Sequence, residues 1–176
     1  AVVFSGAKPI LCDVEENYHN LDINLIEQLI TPRTKAIIPV HFGGNPCDMD
    51  EIKKIADHFN IKIIEDAAHA LPSSYKNKII GTLSDAVCFS FYATKTLTTG
   101  DGGMVTTNNS KIAEKIKIQR LHGISGDAWE RYGQNNDWYY EVVDLGYKYN
   151  TTDIQASIGI IQLEKLEWMR DERKKI

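Results

Sequence analysis

The chain offers little to oxidation, metals or membranes. Its 176 residues include three cysteines, Cys12, Cys47 and Cys88, too far apart for any C-x-x-C pair. An odd, scattered set excludes a disulfide framework and suits reduced thiols in the cytoplasm, with Cys88 expected as a buried strand residue. The five histidines fall into no H-E-x-x-H or other tight ligand spacing, so no metal site is expected. No apolar run approaches the ~20 residues that span a bilayer, and no basic, apolar, small-residue sequence at the start reads as a signal peptide. A net charge of −4 speaks against a nucleic-acid surface. Internal repeats and low-complexity stretches are absent.

What remains is an ordinary soluble composition, 43% hydrophobic and 25% charged, in a chain long enough for one domain with a real core. Short apolar runs alternate with amphipathic segments, the pattern of an α/β fold with a mostly parallel sheet. AVVF (1–4), PILCDV (9–14), KAIIPVHF (35–42), IKIIED (61–66), AVCFSF (86–91) and GMVTT (103–107) are candidate strands, with a short one near Ile79 beyond a turn at 73–78. INLIEQLI (23–30) is a short helix. A second helix starts at Asp48, with Glu51 completing a capping box. A third is capped by Ser110 and carries Ile112, Ile116 and Leu121 on one face. A long last helix starts with Thr152 as cap, Gln155 as its partner, and Ile154, Ile158 and Ile161 along one side. Residues 122–141, aromatic, polar and glycine-containing, are expected as a long functional loop. The chain opens in AVVFSG without a methionine and closes in LEKLEWMRDERKKI without a helix stop, as expected of a segment of a longer protein.

The chemistry centres on Lys95, in the run FSFYATKTLTTGDGGMVTT. An apolar strand ends, the lysine follows, and a glycine-rich turn leads on. This sets one amine at the mouth of a βα-type connection, where open α/β sheets gather their chemistry. Asp66 closes another apolar strand. A lysine and an aspartate on neighbouring strand ends suit pyridoxal 5′-phosphate (PLP): the amine forms a Schiff base, and the carboxylate keeps the ring nitrogen protonated. Ser90, five residues before Lys95, either donates to the cofactor phosphate or fills a strand face. His69 shares a face with Asp66 if a helix follows, and either reaches the cofactor or is a core histidine. Gly100, Gly102 and Gly103 let the chain turn sharply behind Lys95. Lys148 is either a phosphate contact or a surface charge.

The segments PVHFGGNPCDMDEI, IIEDAAHA, FSFYATKTLTTGDGGMVTT, HGISGDAW and LGYKYNTTDIQASIGIIQLEKLE together resemble the DegT–StrS family of PLP-dependent nucleotide-sugar aminotransferases, of the aspartate aminotransferase fold (fold type I). The resemblance implies a three-layer α/β/α PLP-transferase-like large domain, incomplete at both ends. Residues 1–149 would be the central part of that domain and 150–176 the start of the helix leading to a small C-terminal domain. It further implies that Lys95 is the Schiff-base lysine, Asp66 the ring-nitrogen partner, Ser90 a phosphate ligand and His69 a cofactor neighbour. Lys148 or Asn150 would reach the cofactor phosphate of the other subunit in a homodimer. The substrates implied are L-glutamate and a nucleotide-linked ketosugar, aminated at the 4-position, in cell-surface polysaccharide, lipopolysaccharide or amino-sugar biosynthesis. A 3-position aminotransferase, a dehydratase and a non-catalytic relative are the alternatives. Family members are about twice as long, so the segment alone is expected to be inactive.

Overall fold

A computed structural model describes residues 1–125 and 141–176, so residues 126–140 of the expected aromatic loop lie outside the described residues. In chain order, the elements are α1 (Ile23–Leu29), β1 (Ala36–Ile37), α2 (Met49–Phe59), β2 (Lys62–Asp66), β3 (Ser74–Tyr75), β4 (Lys78–Ile79), β5 (Ala86–Ser90), β6 (Gly103–Thr106), α3 (Ser110–Gln119), α4 (Asp153–Glu164) and α5 (Leu166–Arg173). One sheet runs β1-β2-β5-β6, and β3-β4 forms a separate hairpin. β1, β2 and β5 are parallel, and β6 returns antiparallel beside β5. The sheet is thus mostly parallel, as expected. The Lys95 segment, however, joins β5 to an antiparallel neighbour and is a strand-to-strand connection, not a βα one.

The core lies between the sheet and the first two helices. Ile63 of β2 packs with Ile37, Ile26 and the Met49, Ile52, Ile55 and Ala56 face of α2. That face recurs at three- and four-residue steps, as a helix lying on a sheet requires. α2 starts at Asp48, whose Oδ1 accepts the Glu51 N–H at 3.3 Å. Only this half of the expected capping box forms, because the Glu51 carboxylate takes the Lys54 ammonium. α4 has the full reciprocal box between Thr152 and Gln155.

Several expectations are corrected. AVVF is a 3-10 turn over Val3–Ser5, and PILCDV makes only an isolated bridge from Val14 to Leu21. Both runs have strand composition, yet among the described residues no strand pairs with them. The strand expected over 35–42 holds ladder pairing only at Ala36–Ile37, with a further bridge from Val40 to Asp66. Asn109, not Ser110, caps α3, its Oδ1 accepting from Lys111 and Ile112. The last helix breaks at Lys165 into α4 and α5, and Ile154, Ile158 and Ile161 are exposed. Cys88 is half-buried; Cys47 is the buried cysteine, and all three thiols are free.

Beneath β2 lies a buried polar unit. His41 Nε2 sits 2.7 Å from Glu65 Oε2, with both side chains fully buried. The Cys47 N–H donates to His41 Nδ1 at 3.1 Å. Nδ1 is therefore an acceptor, and the proton resides on Nε2 and is given to Glu65. The same stretch is tied to β2 by its backbone: His41 N–H donates to Asp66 O at 3.1 Å, and Asp66 N–H to Pro39 O at 2.9 Å. Removing one member of such a buried pair costs about 3 kcal/mol or more, because the other is left without its partner. Glu65→Ala is thus expected to lower the stability of the full-length protein by about that much, and Glu65→Gln by less than half of it. Urea unfolding measures both; an unchanged midpoint for Glu65→Ala would refute the role.

Burial pushes the Cys47 thiol up to about 11, and the nearby Glu65 charge acts in the same direction. The folded state therefore holds this proton after the unfolded chain has lost it near 9.0. The contribution is fully present below about pH 9 and is lost as pH rises toward 11. Cys47→Ala should flatten that part of the pH–stability curve; an equally steep fall in the variant would assign it to other groups.

Candidate active site

Parallel register decides which side chains meet. Asp66 pairs with Cys88, Glu65 with Val87 and Ile64 with Ala86. Residues opposite one another in a ladder share a face, and alternate residues along a strand return to it. Asp66, Cys88 and Ser90 therefore lie on one face, while Glu65 and Val87 lie on the other, over the core. Burial raises the Cys88 thiol pKa, and the Asp66 charge raises it further, as this shared face requires.

At the carboxyl ends of β2 and β5 the chain opens a cleft of about 190 Å³. Lys95, Ser90 and His69 line it, together with Gly43, Ala68, Leu71, Thr94, Thr96 and Leu97. This is where parallel sheets place ligands. Three of the candidate residues thus converge. Asp66 is not itself a lining side chain, but it stands two residues before Ala68, on the sheet face it shares with Ser90. Lys148 and Asn150 do not line the cleft; the Lys148 ammonium donates instead to Asn150 Oδ1. Beside them, Tyr147 and Tyr149 stack with centroids 4.9 Å apart.

Each candidate is positioned by local backbone. No helix follows Asp66: the chain turns, Ala70 N–H donating to Ala67 O at 2.9 Å. Asp66 Oδ1 accepts the Ala68 N–H at 3.0 Å, which fixes the carboxylate and leaves Oδ2 for a ligand. His69 is exposed, its ring edge-on to Phe42 at 6.5 Å. Ser90 Oγ accepts the Tyr92 N–H at 3.3 Å, so its own hydrogen is free to donate. Lys95 follows a turn closed by its N–H to Tyr92 O at 3.0 Å. Among the described residues, no carboxylate lies within ion-pair distance of its ammonium.

Behind Lys95 the glycines work as anticipated. Gly102 has φ +149°, and a Cβ there would sit 2.6 Å from Thr99 Oγ1; a Cβ on Gly103 would sit 2.7 Å from Phe89 O. Gly43, Thr94 and Thr96 were not singled out from the sequence. Thr96 adjoins the key lysine, and the Gly43-Gly44 pair ends a strand-like run, which is the signal each carried.

The profile of the DegT/DnrJ/EryC1/StrS aminotransferases matches residues 1–176. The chain belongs to that family. It is 60% identical over 175 residues to the protein named Uncharacterized protein MJ1066 of Methanocaldococcus jannaschii, and 49% identical to the spore coat polysaccharide biosynthesis protein SpsC of Bacillus subtilis. Each match covers 99% of this chain and 45% of the relative, so the chain spans under half of their length. Among solved structures, the PMP-form of Spr1654 from Streptococcus pneumoniae matches with a TM-score of 0.88 at 34% identity, over 99% of this chain and 49% of that one. Its PLP-form matches at 0.81, over 94% and 45%.

The family cofactor is PLP, and the residues of this cleft fit it: an amine, a hydroxyl with a free hydrogen, a fixed carboxylate on the same sheet face and an imidazole. A hydrogen bond to a charged group contributes about 1.5–3 kcal/mol, so Ser90→Ala should weaken cofactor binding by about ten- to a hundredfold. Cofactor titration of the full-length protein reads this. Unchanged affinity would return Ser90 to a purely structural part.

Proposed function

We propose that the full-length protein transfers an amino group from L-glutamate to the keto carbon of a nucleotide-linked sugar, at the 4-position, in a cytoplasmic pathway of cell-surface polysaccharide or amino-sugar synthesis. The observation that carries this reading is the convergence of Lys95, Ser90 and His69 on one cleft, with Asp66 on the same face. Membership in an aminotransferase family, and likeness to a spore coat polysaccharide biosynthesis protein, support it.

Bound PLP supplies an aldehyde for amino-group exchange and a protonated ring that draws electrons from the neighbouring carbon. Lys95 Nζ would be the amine that holds this aldehyde. The same amine would act as general base, taking the proton from the donor α-carbon. It would serve the ketosugar in the same way, so that glutamate and sugar exchange an amino group for a carbonyl oxygen. Asp66 Oδ2 would pair with the ring N–H and stabilise its positive charge. Ser90 Oγ–H would donate to the phosphate, and His69 would stand beside the ring.

The protein acts as a homodimer in this reading. Val142, Val143, Leu145, Tyr147 and Tyr149 are all exposed, an apolar surface of the kind that seeks a partner. Lys148, held by Asn150, is presented on that surface to reach the phosphate in the other subunit.

The test is reduction of the cofactor-loaded, full-length protein with borohydride, followed by peptide mapping, and an assay with L-glutamate and a nucleotide 4-ketosugar. The label is expected on Lys95. Lys95→Arg and Asp66→Ala should each lower turnover by about a thousandfold or more. A label on another lysine, or near-normal turnover in Asp66→Ala, would overturn the site. Faster reaction with the 3-ketosugar would overturn the regiochemistry.

A further inference from the structure

The segment between β5 and β6 carries Lys95, and its two halves are held differently. Tyr92 and Thr94 are exposed, whereas Leu97 and Thr99 are 3% and 6% exposed. Thr99 N–H and Thr98 Oγ–H both donate to Phe91 O, at 3.0 and 3.1 Å, closing the second half into a compact loop. Lys95 stands at the border of the two halves, and Thr96 is the next residue inward.

That loop is gripped from outside by α4 and α5, more than fifty residues further along the chain. Gln155 Nε2–H donates to Asp101 O at 3.0 Å. At Gly159 the helix backbone comes so close that an added Cβ would lie 3.1 Å from Thr99 Cγ2. Arg173, in the last turn of α5, donates from Nη1 to Thr96 Oγ1 at 2.6 Å. Its neighbours on and just beyond α5 satisfy each other locally: Arg170 pairs with Asp171, and Lys175 with Glu172. Among the described residues, Arg173 has no carboxylate within ion-pair distance, and its hydrogen bond goes to the residue adjoining Lys95. Leu166, buried at the start of α5, anchors the helix from which Arg173 reaches.

We propose that Arg173 is a positioning residue for Lys95: acting through the Thr96 hydroxyl, it fixes the loop so that the lysine amine points into the cleft. This rests on the reading of Lys95 as the amine that holds the cofactor. Fixing Thr96 restricts the backbone on the far side of Lys95, just as the Tyr92 carbonyl restricts the near side. A lysine on a loose loop loses orientation, which lowers the rate of proton transfer more than the affinity for substrate. The arrangement also ties Lys95 to whatever moves α5.

The experiment uses the cofactor-loaded, full-length protein as wild type, Arg173→Ala, Thr96→Val, the double variant, and Arg170→Ala as a control. Four quantities are read: kcat, KM for the amino donor, visible circular dichroism of the bound cofactor, and hydrogen exchange at the Lys95 and Thr99 amides without cofactor. Each single substitution should lower kcat about tenfold, the size of one lost charge-assisted hydrogen bond, with KM little changed. The double variant should be no worse than the singles, because both remove the same contact. The dichroism should change, exchange at the loop should quicken, and Arg170→Ala should match wild type. Thr96→Val replaces one oxygen by a methyl and leaves α5 untouched, so it reads the contact even where Arg173→Ala frays the helix. Singles within twofold of wild type, losses that multiply in the double variant, or a loss in thermal stability alone would overturn the proposal. Borohydride labelling separates it from the functional reading. A label on Lys95 in every variant leaves that reading intact whichever way the kinetics fall, and a label on another lysine overturns both.

Discussion

The parallel pairing of β2 with β5, in the register that sets Asp66 opposite Cys88, is the constraint on which the rest depends. Side chains on a strand alternate between faces, so a slip of one residue would turn Asp66 into the core and bring Glu65 to the cleft. The register is held from the core side. Ile63 and Val87 are almost wholly buried, and neither could be turned to water without losing its packing. On the opposite face the same register aligns Asp66, Cys88 and Ser90, and the strand end carries the chain on to Lys95.

The buried pair of His41 and Glu65 serves the same end by polar means. Two adjacent carboxylates, Glu65 and Asp66, point to opposite faces of one strand. The first is committed to the interior and held by an imidazole whose other nitrogen is occupied by the Cys47 amide. The second lies on the face it shares with Cys88 and Ser90, steadied by a single backbone N–H. Backbone bonds between Pro39–His41 and Asp66 join the two, so the interior pair and the half-buried Asp66 carboxylate are fixed by the same short stretch. On the other side of the cleft, crowded glycines and the α4–α5 contacts confine the loop that bears the lysine.

Much of this was legible in the residues. Lys95, Asp66 and Ser90 stood out because charged and hydroxyl groups at the ends of apolar runs are poor core material and good chemistry. β2, α1, α2 and the Thr152–Gln155 box followed from periodicity and cap chemistry, which are local. What was not legible is pairing. Whether AVVF or PILCDV becomes a strand depends on a neighbour to bond with, and among the described residues none pairs with them. The direction of GMVTT depends on how the twelve residues after Ser90 turn, which alternation does not encode. The His41–Glu65 pair was missed for a similar reason: each residue looks like a strand flank until β1 and β2 are set side by side. Whether a helix follows Asp66 was also left open by the residues, and the Asp66 carboxylate closes a turn on Ala68 instead.

The account stands on one geometric claim, that the strand ends of β2 and β5 and the loop after β5 build a single cofactor cleft. A crystal structure of the full-length protein loaded with PLP tests it most directly. The account predicts density continuous with Lys95 Nζ, the ring nitrogen within hydrogen-bond distance of Asp66, and a phosphate oxygen on Ser90 Oγ. Cofactor density at any other lysine, or a ring nitrogen turned away from Asp66, would contradict it.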